Sequence, residues 1–183
     1  MIRVAINGFG RIGRHAFKAA WGRKGLQVVA INDLTDTKTL AHLLKYDTAY
    51  PDFPHEISHD EKHIIIDGKS VQAFAEKDPA KLPWKALKID VVIESTGRFT
   101  SHEGACLHIS AGAKKVVLSA PGKGDGIAPY LRGVNCESYS GEAIIDNASC
   151  TTNSVAPIML TLEKTFGVAK AMMSTVHAYT QDQ

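Results

Sequence analysis

The chain has 183 residues, enough to bury a core for one domain or one and a half. Its 44% hydrophobic and 22% charged content are those of an ordinary soluble protein, and no apolar run approaches the ~20 residues of a membrane span. A net charge of +2 with scattered basic residues argues against a nucleic-acid surface. Three cysteines without a CxxC pair argue against a disulfide framework and a zinc site. The N-terminus MIRVAINGFGRIGR has no cleavable signal pattern, so a reducing cytoplasm is the expected compartment.

Ile2 to Ile6 is a short β-branched run that reads as a buried parallel strand ending at Asn7. Gly8-Phe9-Gly10-Arg11-Ile12-Gly13 follows, then a helical stretch to about Gly22, then a second buried strand from Gln27 to Ile31 ending at Asn32-Asp33. A glycine hexamer alone is weak. Between a strand and a helix, with an acid twenty residues on, it points to a dinucleotide. Gly8 permits the tight turn, Gly10 lets the backbone approach a pyrophosphate, and Gly13 lets helix and strand pack closely. The pyrophosphate would rest on the helix N-terminus. Asp33 would take the adenine ribose hydroxyls and repel a 2′-phosphate, which favours NAD over NADP.

Lys38 to Tyr46 reads as a short helix capped by Thr35 or Asp36, and Asp47 to Asp60 as a loop. His55, His59 and His63 read as solvated side chains, and no metal site is expected. Ile64 to Ile66, Asp67-Gly68 and Ser70 to Ala75 form a hairpin with a type I′ turn signal. Pro79 to Leu87 is a turn or short helix. Ile89 to Glu94 is another buried strand, closing on Ser95-Thr96-Gly97-Arg98-Phe99, where a doubly wound sheet builds its ligand crevice. Ser101 to Ala113 is the next helix, with His102 and His108 on solvated faces, and Lys115 to Leu118 the next strand. Ile127 to Val134 is ambiguous, and Ala143 to Ile145 is a strand. The expected fold is α/β, a Rossmann-type doubly wound, mostly parallel sheet.

Asp146 to Ser154 reads DNASCTTNS and places Cys150 at the start of a helix whose Val155, Ile158, Met159 and Leu162 form a packed apolar stripe. Pro157 would fall in an early turn. Unpaired N–H groups and the helix dipole would favour a thiolate there and could hold an oxyanion. The plain alternative is a buried structural cysteine capped by threonines. Ala171 to Gln181 reads as a strand with Thr175, His177 and Tyr179 on one face, and His177 is the candidate base for Cys150.

Taken together, INGFGRIGR, IND, HLLKYD, ESTGRF, SAP, DNASCTTN and TVHAYTQDQ resemble the phosphorylating glyceraldehyde-3-phosphate dehydrogenases along the whole chain. The resemblance implies that Cys150 is the nucleophile and that His177 activates its thiol and serves as acid/base. It implies cofactor contacts by Asn7, Gly8, Gly10, Arg11 and Ile12 (through backbone), Asp33, Lys77 and Ser119, with Thr96 and Phe99 nearby. Ser149, Thr151 and Thr180 would hold the substrate phosphate or inorganic phosphate. The implied reaction is NAD-dependent conversion of glyceraldehyde 3-phosphate and inorganic phosphate to 1,3-bisphosphoglycerate through a hemithioacetal and a thioester on Cys150, a step of glycolysis. A homotetramer is implied for the full-length protein.

Residues 1–148 would be the dinucleotide-binding Rossmann domain and 149–183 the truncated start of an α+β catalytic domain. Family members run to roughly twice this size, so the chain is expected to be an N-terminal fragment. Ser154 stands where the family has a second cysteine, and Gln181 where it often has Asn. Three other readings remain: an NAD-binding module without turnover, a Cys–His acyl-transfer enzyme without NAD, and a dehydrogenase of erythrose 4-phosphate. Tyr179-Thr180 favours the triose phosphate.

Overall fold

The computed structural model describes residues 1–178. Adjacent residues of the first strand leave it in opposite directions, which settles the architecture. In β1 (Ile2–Asn7) Ala5 and Ile6 are both fully buried, yet they belong to different cores. Ala30 and Ile31 of β2 (Leu26–Asn32) divide in the same way. A strand with both faces apolar must be covered on both sides. On one side Ile6 and Ile31 pack with Phe9, Phe17, Leu40 and Leu44, bringing in α1 (Arg11–Ala20) and α2 (Thr37–Lys45). On the other, Ala5 and Ala30 pack with Trp84, Ile89 and Val92.

Seven more strands complete the sheet: β3 (Ile57–His59), β4 (His63–Ile66), β5 (Lys69–Phe74), β6 (Val91–Glu94), β7 (Lys115–Leu118), β8 (Ala128–Pro129) and β9 (Ile144–Asp146). Among the described residues it is nine-stranded, in the order β3-β4-β5-β2-β1-β6-β7-β9-β8. Every neighbouring pair from β5 to β8 is parallel, and only β3–β4 and β4–β5 are antiparallel. This is the expected Rossmann-type fold. The chain works outward from β1 to β2 and β5, then returns to β1's other edge with β6, so the strand order reverses between β1 and β6. Asp67 and Gly68 both have positive φ (48° and 76°), as the two-residue I′ turn between β4 and β5 requires. Asp36 caps α2 by accepting from the Thr39 N–H, and Ser101 caps α3 (His102–Ser110) by accepting from Gly104. No described helix is long and apolar enough to cross a membrane.

Five expectations need correction. The 47–60 loop contains β3, which takes the exposed edge of the β4–β5 hairpin. His108 is completely buried on α3 rather than solvated, because Trp84 and Glu94 give its ring partners. The helix after β9, α4 (Cys150–Phe166), has no buried residue, and its apolar Ile158 and Leu162 are exposed. Pro157 is the eighth residue of α4, an interior position where its missing N–H removes the helical donor of the Asn153 carbonyl. Residues 171–178 form no strand. β-propensity needs a neighbouring strand to pair with, and none lies beside them in the described residues.

Candidate functional site

Parallel register lines up one residue from each strand along the carboxyl edge of the sheet. Asn7 pairs with Asn32 on one side and Glu94 on the other, Glu94 with Leu118, and Leu118 with Asp146. Backbone bonds carry the alignment one residue further: Gly8 N–H to Asn32 O, Ser95 N–H to Asn7 O, Ser119 N–H to Glu94 O, and Asn147 N–H to Leu118 O. The segments after the strands therefore stand in the order Asp33, Gly8, Ser95-Thr96, Ser119 and Asn147-to-Cys150. Segments far apart in sequence share one rim.

The turn after β1 fits a dinucleotide on structural grounds. Gly8 sits at φ +87° against Ser95, where a Cβ would lie 2.7 Å from the Ser95 and Thr96 backbone. A Cβ on Gly13 would come within 2.0 Å of the Gly8 carbonyl, so only glycine allows the helix this close to the turn. At Gly10 a Cβ would meet nothing within 4 Å, and Gly10 caps α1 without any side-chain hydrogen bond. The first N–H groups of α1 are thus left to an anion approaching along the open face of the turn. Phe9 turns into the core, edge-on to Phe17 at 5.5 Å, and so clears the outer face. Asp33 fixes the turn: Oδ2 accepts the Phe9 N–H at 2.7 Å and Oδ1 the Thr35 N–H at 3.0 Å. Each oxygen keeps a lone pair for a ribose hydroxyl. Arg11, Ile12 and Lys77 are exposed, Thr96 and Ser119 half-buried at the rim, and Phe99 packs edge-on to His108.

At the other end of the rim, Asp146 is a buried carboxylate that shapes the approach to Cys150. Its Oδ1 accepts the N–H of Ala148 at 2.7 Å, holding that residue at φ +54°, and its Oδ2 accepts the Gly122 N–H at 2.8 Å. Ser149 then caps α4, its hydroxyl accepting the Thr152 N–H at 2.9 Å. Cys150 is the first helical residue, and its Sγ lies 3.2 Å from Nε2 of His177. The His177 Nδ1–H donates to the Ala178 carbonyl at 2.6 Å, which leaves Nε2 facing sulfur. The His177 hydrogen bond, followed by bonds from the Thr151 hydroxyl and N–H, draws the thiol below its ordinary pKa. His177 is raised in return by the thiol and then by the Ala178 carbonyl. Both residues are exposed, on an open groove of about 410 Å³ that Thr151 and Ser154 also line. A thiolate of this kind can add to a carbonyl carbon, with an imidazole in place to move the proton.

Ser149 and Thr151 thus flank the thiol, the first with its hydroxyl engaged in the cap. Thr180 lies outside the described residues, as do Tyr179 and Gln181. Sequence reasoning passed over Asp146 and a buried group formed by Glu94, His108, Trp84 and Asn32. One signal was available. A glutamate closing the apolar run Val91-Val92-Ile93 is buried by its strand and must find donors.

Comparison with known proteins matches both ends of the chain to one family. The family model described as the glyceraldehyde 3-phosphate dehydrogenase NAD binding domain matches residues 2–102, and that of the glyceraldehyde 3-phosphate dehydrogenase C-terminal domain matches 149–183. A glyceraldehyde-3-phosphate dehydrogenase of Thermotoga maritima is 55% identical over 186 residues, covering 100% of this chain and 56% of the relative. One from Mycoplasma pneumoniae is 54% identical, with 100% and 54% covered, and a chloroplastic one from Chondrus crispus is 49% identical, with 100% and 45% covered. The chain spans about half the length of the curated relatives it matches.

Proposed function

The chain belongs to the glyceraldehyde 3-phosphate dehydrogenase family, and we propose that it supplies the NAD crevice and the reactive thiol for oxidative phosphorylation of glyceraldehyde 3-phosphate. The observation that carries this reading is the 3.2 Å contact of Cys150 and His177 on the same rim as the glycine turn. Residues 1–148 hold the cofactor in this reading, and 149–183 begin the substrate-handling part. Asn7, Gly8, Gly10, Asp33, Lys77, Thr96, Phe99 and Ser119 border the crevice, and the Arg11 and Ile12 N–H groups face the diphosphate. NAD bound there supplies the hydride acceptor.

His177 Nε2 takes the thiol proton, the Cys150 thiolate adds to the aldehyde carbon, and the imidazolium returns that proton to the oxyanion to give a hemithioacetal. His177 Nε2 then accepts the hydroxyl proton as hydride leaves that carbon, which converts the hemithioacetal to a thioester. Inorganic phosphate attacks the thioester carbon, the Cys150 thiolate departs, and 1,3-bisphosphoglycerate is released. Ser149, Thr151 and Thr180 are the proposed phosphate contacts. Two features of the chain support the chemistry: a thiol held below its ordinary pKa by an imidazole, and a helix N-terminus beneath it. Cys106, Cys136 and Cys150 are free thiols, which suits a reducing cytoplasm. A homotetramer of the full-length protein completes the reading, and sedimentation would show it.

The test is a calorimetric titration of the chain with NAD, run beside an assay of NADH formation from glyceraldehyde 3-phosphate and phosphate. Binding with turnover supports the whole reading. Binding without turnover makes this polypeptide a cofactor-binding module, a reading favoured by the absence of any buried residue on α4. Failure to bind NAD would overturn both.

A further inference from the structure

Glu94 is a buried carboxylate that the proposed chemistry leaves unused. Its side chain is 1% exposed, and it ends β6 beside the point where the strand order reverses. Four donors meet it. Oε2 accepts from the Asn7 side-chain amide at 2.6 Å and from the His108 ring at 2.9 Å. Oε1 accepts from the Thr96 N–H at 2.8 Å and from the Thr96 hydroxyl.

The directions of the Asn7 and His108 bonds are set from outside the cluster. The Glu76 backbone takes a hydrogen from Asn32 Nδ2 and gives one to Asn32 Oδ1, so this amide has one orientation. Asn32 Nδ2 also donates to Asn7 Oδ1 at 2.7 Å, which turns the Asn7 amide N–H toward Glu94. On the other side the Trp84 indole can only donate, and it donates to His108 Nδ1 at 3.0 Å. Nδ1 therefore has no hydrogen, Nε2 carries it toward Glu94, and the ring is neutral. The Thr96 hydroxyl accepts the Arg98 N–H on one lone pair, and its own hydrogen is free to point at Glu94. In the ionised form all four groups donate to the carboxylate; a protonated carboxyl would have to give its hydrogen to the Thr96 oxygen and strand the Thr96 hydroxyl hydrogen, so the charged form is the one these bonds fit. Among the described residues no lysine or arginine pairs with it.

Its place along the rim gives that charge a target, and this step rests on the NAD reading above. With the adenine ribose at Asp33 and the diphosphate at the turn after β1, the rest of the cofactor runs past β6 and β7 toward Cys150. Glu94 then lies beneath the nicotinamide nucleoside. We propose that Glu94 is a positioning residue of the crevice: a fixed negative charge that anchors Asn7 and Thr96 and favours the cationic nicotinamide ring of NAD over the neutral ring of NADH. A glutamine cannot take its place. Whichever way its amide turns, an N–H meets either the Thr96 backbone N–H or the donors of Asn7 and His108.

The experiment titrates the full chain, Glu94→Gln and His108→Gln with NAD and with NADH, and records the ¹⁵N shifts of the His108 ring in the unmodified chain at pH 7. The shifts are expected to show a neutral ring with hydrogen on Nε2. Glu94→Gln should reduce the preference for NAD over NADH by about threefold to tenfold, on top of any common loss of affinity. His108→Gln keeps a donor toward Glu94 and cannot be charged, so its preference should stay within about twofold of the unmodified chain's. An imidazolium, or hydrogen on Nδ1, would overturn the forced polarity even if Glu94→Gln failed to fold. Equal weakening of both forms in Glu94→Gln would make Glu94 a structural residue only. A rise in the NAD preference of His108→Gln would mean that His108 had been a countercharge, which also overturns the inference. If the unmodified chain bound neither form, the NAD reading would fall and this inference with it, whatever the ring shifts showed.

Discussion

The two ends of the rim are built differently. Around β2, β1 and β6 the side chains beneath the crevice are buried and their hydrogen bonds are specified from several elements at once: Asn7, Asn32, Glu94 and His108 are each no more than 5% exposed. At β9 and α4 the carboxylate of Asp146 is buried, but the reactive pair it leads to is not. Cys150 and His177 are exposed and depend on one 3.2 Å contact and the Ala178 carbonyl. Cofactor recognition needs backbone placed to within tenths of an ångström, which close packing provides. Thiol reactivity needs an accessible sulfur with a base and a helix terminus nearby, and those can be assembled at a surface.

The contrast can be broken by substitution. Cys150→Ala should lower NADH formation by on the order of 10⁴-fold or more while leaving NAD affinity within a factor of two, measured by absorbance and calorimetry. Loss of both together would show that the thiol supports the crevice and that the two ends are one structure. His177→Asn should slow turnover by about 10²- to 10⁴-fold. It also removes the largest cause of the lowered Cys150 pKa. A thiol with a depressed pKa is ionised at lower pH than an ordinary one. Alkylation should therefore rise with pH through a midpoint below about 8.5 in the unmodified chain and move upward toward that value in the variant. An unmoved midpoint would leave the helix terminus as the cause.

Within the crevice, two neighbouring glycines should separate stability from binding. Gly13→Ala drives a methyl into the Gly8 carbonyl and should cost about 3 kcal/mol in denaturant unfolding. Gly10→Ala meets open space, so stability should change by less than about 1 kcal/mol, while NAD affinity falls about tenfold because the methyl stands where the diphosphate approaches. Similar destabilisation by both would mean that Gly10 serves folding alone. The smallest effect is expected on α4. Ile158 is 57% exposed, and Ile158→Lys should alter stability by less than about 0.5 kcal/mol. A loss of several kcal/mol would show that this face is covered in the working protein.

The parts legible in sequence were those where backbone geometry allows few residues. Gly8 and Gly13 are required by contacts that any side chain would violate, and Asp67-Gly68 by a turn with two positive φ values. The start of α4 was readable from Ser149 and its run of small hydroxyl residues, because capping is local. His108 was not readable. On a nine-residue helix it resembles any polar residue, and its burial depends on Trp84, 24 positions earlier, and Glu94, 14 positions earlier. The 171–178 stretch failed for the converse reason. Its residues favour a strand, but a strand exists only through a partner.

The reversal of strand order also sets a timetable for synthesis. Asn7 and Glu94 are 87 residues apart, and β1 needs β2 on one side and β6 on the other. At about 5 to 20 residues per second on the ribosome, β6 follows the first strand by roughly 4 to 17 seconds. β2 arrives early and closes one side of β1. Until β6 emerges, the other side shows a row of unsatisfied peptide groups to any neighbouring nascent chain. Nascent chains stalled before β6 should therefore stick to one another, and those stalled after it should not.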